Sequence, residues 1–529
     1  MLTVPVRLLA VPLAVVLAAL LPAGAAPGSG AGTSAAARSL GSDLDALFAD
    51  RALTGAQVSA LVTDAATGEV LYRRTPGALL LPASTQKTVT AAAALELLGP
   101  DHRFTTEVLA AGPRTGGRID GDLVLRGGGD PTLLPADLDA LAAAVAAAGV
   151  TEVGGALLAD ASRWDDVPLG PSWSWDDQAA YYSPQISALT LTTDTDYDPG
   201  TVRVVLTPGE APGQPAAVRV VPAEAPVRFT GRVATGAAGS ARTAVVDRRP
   251  GGNELLLSGS VPAGGGPSEE WIAVDSPALT AADVFAAALA RHGVAVQGAP
   301  REGRAPAGAA VLAAHDSAPV SALMAPFLKL SNNGIAEHLV KEIGRVRAGS
   351  GSWASGTDQV NGFLHRAGLE PTEARQVDGS GLSRHNLLTA SRLTALLAYA
   401  RTRPWFATWY QALPVAGDAR RAVGGTLTNR MRGTAAEGRV HAKTGSMTGV
   451  DALTGYAERA DGRTLAFAVL VNNFAGSSPR SVIDAFAVRL AGGSAATGRT
   501  APRAETPAET PAGTPDRDWE TACLVEARC

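Results

Sequence analysis

Pro82-Ala83-Ser84-Thr85-Gln86-Lys87 sets a serine and a lysine three residues apart at the point where an apolar run begins. Pro82 introduces a helical pattern over Ser84 to Leu98, and Gly99-Pro100 ends it. Side chains three apart on a helix share one face within a turn. Free N–H groups and the dipole at a helix start favour a developing oxyanion. An amine of lowered pKa at Lys87 can accept the Ser84 hydroxyl proton, which activates the serine without a histidine. The bland alternative is a capping serine beside a solvated lysine, and the stretch alone does not choose between them.

Composition adds weight. The 529 residues include 45 Lys and Arg, of which only Lys87, Lys329, Lys341 and Lys443 are lysines. A chain this rich in Ala, Gly, Pro and Arg follows a GC-rich codon bias that replaces lysine wherever chemistry allows. The lysines that remain are expected to be needed as amines, because a buried lysine can shed its proton and an arginine effectively cannot. Ser331-Asn332-Asn333 lies between two helix-like segments and offers a hydroxyl and an amide, with Lys329 read as a solvated neighbour. His441-Ala442-Lys443-Thr444-Gly445-Ser446 reads as a strand. There Lys443 supplies positive charge, Gly445 allows close approach to the backbone, and Ser446 adds a hydroxyl and an N–H. Each piece is weak alone. In the order S-x-x-K, S-x-N, K-T-G they form the motif set of penicillin-binding proteins and β-lactamases, with Asn332 where the middle motif usually has Asp.

Outward from these motifs, a helix is expected over Leu40 to Leu53 and a hairpin from Val58–Val62 and Glu69–Tyr72. Three strand patterns, at Gly438–Thr444, Ala452–Glu458 and Thr464–Val471, precede a helix at Ser481–Leu490. The middle, from Arg103 to about Ser317, is rich in Gly and Pro with many strand-like pieces and two helical stretches. The start of the chain reads as an export signal, with Arg7, the apolar run Leu8–Leu21 and a small-residue Ala23-Gly24-Ala25 site, and no later segment is long and apolar enough to span a bilayer. Thr500–Pro515 reads as a disordered tail, and both cysteines, Cys523 and Cys529, fall at the end. A net charge of −5 with no basic excess argues against a nucleic-acid partner. No G-x-S-x-G elbow and no H-E-x-x-H occurs, which disfavours histidine-based hydrolases and metallopeptidases. His338, His385 and His441 are read as packing groups.

The flanking text carries a closer likeness. Ser331-Asn332-Asn333-Gly334-Ile335-Ala336-Glu337, Asp378-Gly379-Ser380-Gly381-Leu382-Ser383-Arg384 and Trp173-Ser174-Trp175-Asp176-Asp177 resemble segments of the class C low-molecular-mass penicillin-binding proteins, the penicillin-binding protein 4 type of D-alanyl-D-alanine carboxypeptidase/endopeptidase. The likeness covers roughly Leu40 to Gly492. It implies an α/β (α+β) transpeptidase/β-lactamase-like domain with an antiparallel sheet, split by two nested β-rich insertions. The implied division is a signal at 1–25, a catalytic body at 40–102 and 317–492, an inserted domain at 103–127 and 221–316, a nested one at 128–220, and a tail at 493–529.

The resemblance further implies that Ser84 is acylated with Lys87 as its base. Ser331 relays a proton to the leaving amine and Asn333 holds the substrate amide. Lys443 gives electrostatic support, while Thr444 and Ser446 receive the terminal carboxylate. The N–H groups of Ser84 and Ser446 form the oxyanion hole, and Gly445 lets the substrate approach the backbone closely. Asp177, Arg384 and Met447 are expected to border a pocket for the ammonium, carboxylate and aliphatic stem of a diaminopimelate side chain. Partners would be peptidoglycan stem peptides and β-lactams, with no cofactor or metal. A β-lactamase or esterase is the first alternative, although no E-x-x-L-N-like segment is present to hold a deacylating water. A non-catalytic wall-binding or β-lactam-sensing protein is the second, although a binding module has no use for the base.

Overall fold

The computed structural model describes residues 40–369 and 374–492. The expected signal, the spacer after it and the tail with Cys523 and Cys529 lie outside the described residues.

Thr464–Asn472 is apolar from Leu465 to Val471, as suits a strand covered on both faces. It is the middle of a five-stranded antiparallel sheet made of β1 (Gln57–Asp64), β2 (Val70–Arg74), β3 (Val440–Met447), β4 (Val450–Glu458) and β5 (Thr464–Asn472), in the order β3-β4-β5-β1-β2. The two-residue period of β5 divides its side chains between two cores. Ala466, Ala468 and Leu470 join one core, while Leu465, Phe467, Val469 and Val471 join the other. The first core contains α1 (Lys87–Leu97), α2 (Val320–Lys329), α3 (Asn333–Ala348), α4 (Trp353–Arg366) and α5 (Ala390–Ala400). The second is closed by a helix over residues 40–47 and by α6 (Arg480–Leu490).

Helix α1 is buried on nearly every side, and its run Ala91–Ala94 keeps it slender enough for α2, α3, α4 and α5 all to reach it. The expected hairpin, the three late strands and the last helix all form. All of these elements fall within 40–102 and 317–492. The first helix is shorter than expected, ending at residue 47 before a 3₁₀ turn at Arg51–Leu53.

Strand pairing corrects the expected division of the insertion. Strands Thr105–Ala111, Asp122–Arg126, Glu152–Asp160, Ala295–Glu302 and Ala310–Asp316 share one mixed sheet. Helices Pro135–Ala147 and Pro277–Arg291 share a core with it. The inner unit was expected at 128–220. Instead, strands Thr201–Thr207, Ala217–Val221 and Ser268–Ala273 form a separate sheet, with the smaller strands between Arg228 and Pro262 packed in the same cluster. The reason is topological. Asp122–Arg126 and Glu152–Asp160 pair in parallel, which requires a crossover, and the helix at Pro135–Ala147 is that crossover. Residues 128–160 therefore belong with the outer sheet. No helix among the described residues is long and apolar enough to cross a membrane.

Candidate active site

Ser84 sits in a 3₁₀ turn, Ala83–Gln86, and α1 proper begins at Lys87, three residues later than the sequence pattern suggests. Ala83 is held at φ +45°, a left-handed conformation that a side chain takes only when its surroundings impose it. The surroundings are visible: a Cβ on Gly381 would fall 1.9 Å from the Ala83 carbonyl oxygen, so the 378–383 loop presses directly on the turn. Only glycine fits there.

Lys87 is fully buried, and its Nζ lies 2.7 Å from Ser84 Oγ, 2.6 Å from Asn333 Oδ1 and 2.9 Å from the Ser380 carbonyl oxygen. Burial pushes its pKa down to about 7, against the opposing charges of Glu337 and Asp378. Near neutrality the amine is therefore free in a good fraction of molecules. A neutral amine keeps two N–H bonds for Asn333 and Ser380 and points its lone pair at the Ser84 hydroxyl.

Lys443 repeats the pattern on β3. Its Nζ donates to Ser331 Oγ at 2.8 Å and to the Thr444 carbonyl at 3.0 Å. Burial, then the Lys87 charge, hold its pKa well below the usual lysine range. Ser331 precedes α3 at φ +62°, while Asn332 caps that helix by accepting from Ile335 N at 2.9 Å. The Asn332 Nδ2 group also donates to the Asp196 carbonyl at 3.1 Å, the Tyr197 carbonyl at 2.7 Å and Asp198 Oδ1 at 2.9 Å. An aspartate could cap the helix but has no hydrogen to give that loop. Asn333 donates in turn to the Tyr182 carbonyl at 2.7 Å, so the inserted segment reaches the cleft itself.

Strand β3 is an edge of the sheet, and the Ser84 turn packs beside it. A Cβ on Gly445 would lie 2.7 Å from the Pro82 carbonyl oxygen and 3.1 Å from Thr85 N, so glycine permits this approach. Thr444 is half-buried and bonded to Thr426 at 2.8 Å, Ser446 is exposed, and Met447 is half-buried. The structure thus joins Ser84, Lys87 and Asn333 by direct bonds and Ser331 to Lys443 by another, with the Lys87 charge acting on Lys443 and with Thr444, Gly445 and Ser446 along the same strand.

The more distant expectations are attached less directly. Asp177 accepts from the Tyr182 hydroxyl at 2.8 Å, and Arg384 is exposed and donates to the Thr448 carbonyl at 3.0 Å, one residue past Met447. No ion pair joins Asp177 to Arg384 among the described residues. Lys329 is not solvated as expected: it is buried, with Nζ donating to the Leu413 and Val423 carbonyls, and burial lowers its pKa to about 7. Lys341 is buried as well, bonded to Asp165 at 2.6 Å and lying over the Trp353 ring. His338 packs edge-on to Trp164, His441 stacks on Tyr410, and His385 is exposed.

Four contributors had no assigned role in the sequence reading: Glu337, Asp378, Ser380 and Tyr182. Glu337 lies one turn beyond Asn333 on the same face of α3, and that spacing is the one local signal that marks it. The others come close only through the tertiary fold.

Comparison with known proteins identifies the family. The D-alanyl-D-alanine carboxypeptidase of Actinomadura sp. is 48% identical over 463 residues, covering 87% of this chain and 86% of that protein. The crystal structure of penicillin binding protein 4 from Haemophilus influenzae superposes with a TM-score of 0.73 at 26% identity, covering 84% of this chain and 98% of that one. A second structure of that protein, complexed with a novel β-lactam, gives a TM-score of 0.69 at 25% identity, covering 85% and 98%. The model of the D-Ala-D-Ala carboxypeptidase 3 (S13) family matches residues 40–492, from the first described helix to the last described residue. Sequence, fold and cleft thus converge: the chain belongs to that family of serine-type D-Ala-D-Ala carboxypeptidases.

Proposed function

We propose that Ser84 is the acylated nucleophile of this carboxypeptidase and that Lys87 is its general base. The observation that carries the reading is the 2.7 Å contact between Lys87 Nζ and Ser84 Oγ, made by a fully buried amine. Ser84 Oγ attacks the carbonyl of the penultimate D-alanine of a peptidoglycan stem peptide, and its proton passes to Lys87. The tetrahedral oxyanion is received by the N–H groups of Ser84 and Ser446, the largest kind of stabilisation in acyl transfer. Ser331, bonded to Lys443, delivers a proton to the departing D-alanine amine. Water then hydrolyses the ester and frees Ser84.

Lys443, Thr444 and Ser446 line the strand where the substrate's terminal carboxylate would rest, and Gly445 lets that strand close up on the Ser84 turn. A β-lactam acylates the same serine, but its leaving amine stays tethered in the opened ring and the adduct persists. The β-lactam complex of the Haemophilus influenzae relative supports this reading. The signal-like start of the chain supports action outside the cytoplasm, where peptidoglycan is found.

Asp177 and Arg384 extend the site towards the far end of the stem peptide. A free diaminopimelate end presents an ammonium and a carboxylate on one carbon, for which Asp177 and the forked guanidinium of Arg384 are suited partners. Met447 would pack on the aliphatic stem. Both walls are anchored to the cleft, Asp177 through Tyr182 and Asn333, Arg384 through Thr448.

Mass spectrometry of the protein after benzylpenicillin treatment tests the nucleophile. One adduct is expected, on the peptide containing Ser84, and Ser84→Ala should abolish it. An adduct that survives in Ser84→Ala would overturn the assignment.

A further inference from the structure

One buried acid beneath the cleft is spoken for by neither the proposed reaction nor its substrate. Glu337 is fully buried on α3. Its Oε1 accepts from Ser380 N at 2.7 Å, and its Oε2 accepts from Gly379 N at 2.9 Å and from Trp353 Nε1 at 2.7 Å. Burial and the charge of Asp378 push its pKa up to about 7, but every partner is a donor, so the set favours the carboxylate and leaves no acceptor for a carboxyl proton. Two consecutive peptide N–H groups gripped by one carboxylate fix the orientation of the peptide planes around them. The Ser380 carbonyl, which accepts from Lys87 Nζ at 2.9 Å, lies in the next peptide plane, whose N–H, that of Gly381, is held by Asp378 Oδ1 at 2.9 Å, so Glu337 fixes it through the Ser380 backbone it anchors.

We infer that Glu337 is a positioning residue for the general base: it anchors the Gly379–Ser380 backbone from below and, together with Asp378 at the Gly381 N–H, sets the carbonyl that orients the Lys87 amine towards Ser84. The inference rests on the assignment of Lys87 as base. The charge of Glu337 also favours the Lys87 ammonium and so opposes the effect of burial there. The other charged groups facing these two are Asp378 from the loop, Lys443 from β3, and Lys341 one turn further along α3. Asp378 is held by Gly381 N, Ser383 N, Asn386 Nδ2 and Trp173 Nε1, so its carboxylate braces the far side of the same loop. Glu337 thus acts on the base in two ways, through a carbonyl and through its charge. A residue of merely structural importance would do neither.

The test measures the rate of acylation by benzylpenicillin against pH, in the wild type and in Glu337→Gln, Glu337→Asp and Glu342→Gln. Glu342 is the control: it is equally buried on α3, but its partners are His102, Arg163 and Trp164, away from the cleft. Removing the anion at 337 makes the Lys87 ammonium less favourable. The acid limb of the profile in Glu337→Gln should therefore move to lower pH by about one unit. The plateau rate should fall at least about tenfold, as expected when a proton acceptor is misaligned. Glu337→Asp keeps the charge but shortens the reach, so it should slow the plateau while leaving the limb near its wild-type position. Glu342→Gln should lower the melting temperature with the limb unmoved.

An acid limb in Glu337→Gln that coincides with the wild type's would overturn the inference. Should Glu337→Gln not fold, a wild-type plateau rate in Glu337→Asp would overturn it equally. A wild type with no acid limb at all would instead remove the assignment of Lys87 as base, and this inference with it.

Discussion

Two regions of this molecule bury a lysine amine against α3, and they meet the cost in opposite ways. In the cleft, Lys87 is given a hydroxyl, an amide oxygen and a peptide carbonyl, and no bonded carboxylate. At the joint with the inserted segment, Lys341 is given the Asp165 carboxylate at 2.6 Å, the Val167 carbonyl at 2.8 Å and the face of the Trp353 indole. Burial lowers the pKa of both. At Lys341 a bonded carboxylate opposes that effect first, whereas at Lys87 only the unbonded charges of Glu337 and Asp378 do so. The lysine proposed as the base is refused a direct counter-ion, while the one that clamps two parts of the chain is granted one. Lys329 shows that a lowered pKa is not sufficient. Its amine is also pushed down to about 7, yet its acceptors are two carbonyls and it has no hydroxyl to deprotonate.

The contrast is most sharply broken at its first member. Lys87→Arg keeps a cation in place but cannot accept a proton, so benzylpenicillin acylation should fall by about 10²–10⁴-fold with the fold retained. Lys443→Arg should be milder, about tenfold, because the proposed role there is electrostatic. Equal losses in the two folded variants would contradict the division between base and electrostatic support. Lys341→Met exchanges the signature: it leaves the part-exposed Asp165 without its cation and should destabilise the protein by about 2 kcal/mol. Its folded fraction should acylate within about threefold of wild type, as thermal melts and acylation rates on the same sample would show. A collapse of acylation with an unchanged melting temperature would place Lys341 in the chemistry after all.

The smallest effect belongs to the rim. Asp177→Ala should lower kcat/KM several-fold for peptides with a free diaminopimelyl end, while leaving acylation by a penicillin lacking that group nearly unchanged. Equal losses on the two substrates would remove the pocket. Across the series, acylation by the wild type should rise with pH through about 7, because Lys87 must be neutral to act and its lowered pKa places that titration there.

What the sequence revealed follows the range of the contacts. Ser84 and Lys87 are three residues apart, and their bond is a property of one turn. The Lys443 strand was legible because turns bracket three apolar runs in succession. Scarcity of lysine marked the two amines that the fold buries in the cleft, yet it equally marked Lys329 and Lys341, since burial selects for a compact ammonium whether or not chemistry follows. The loop that meets Lys87 is another matter. Glu337 bonds Gly379 and Ser380 some forty residues on, and Trp173 reaches Asp378 across a sequence separation of 205. No local pattern encodes such pairs. The inner boundary of the insertion was missed for a similar reason, since the texture at 128–160 matches its surroundings and only the parallel pairing of Glu152–Asp160 with Asp122–Arg126 assigns it.

Asn332 carries a consequence of a different kind. Its three donor contacts go to the 196–198 loop of the insertion, one of them to the carboxylate of Asp198. An aspartate at 332 would set two acids face to face and leave two carbonyls without their hydrogen. Such an aspartate would lack the hydrogens that the loop receives from Asn332. A single letter between the two polar residues of that motif thus ties the start of α3 to the insertion in this chain.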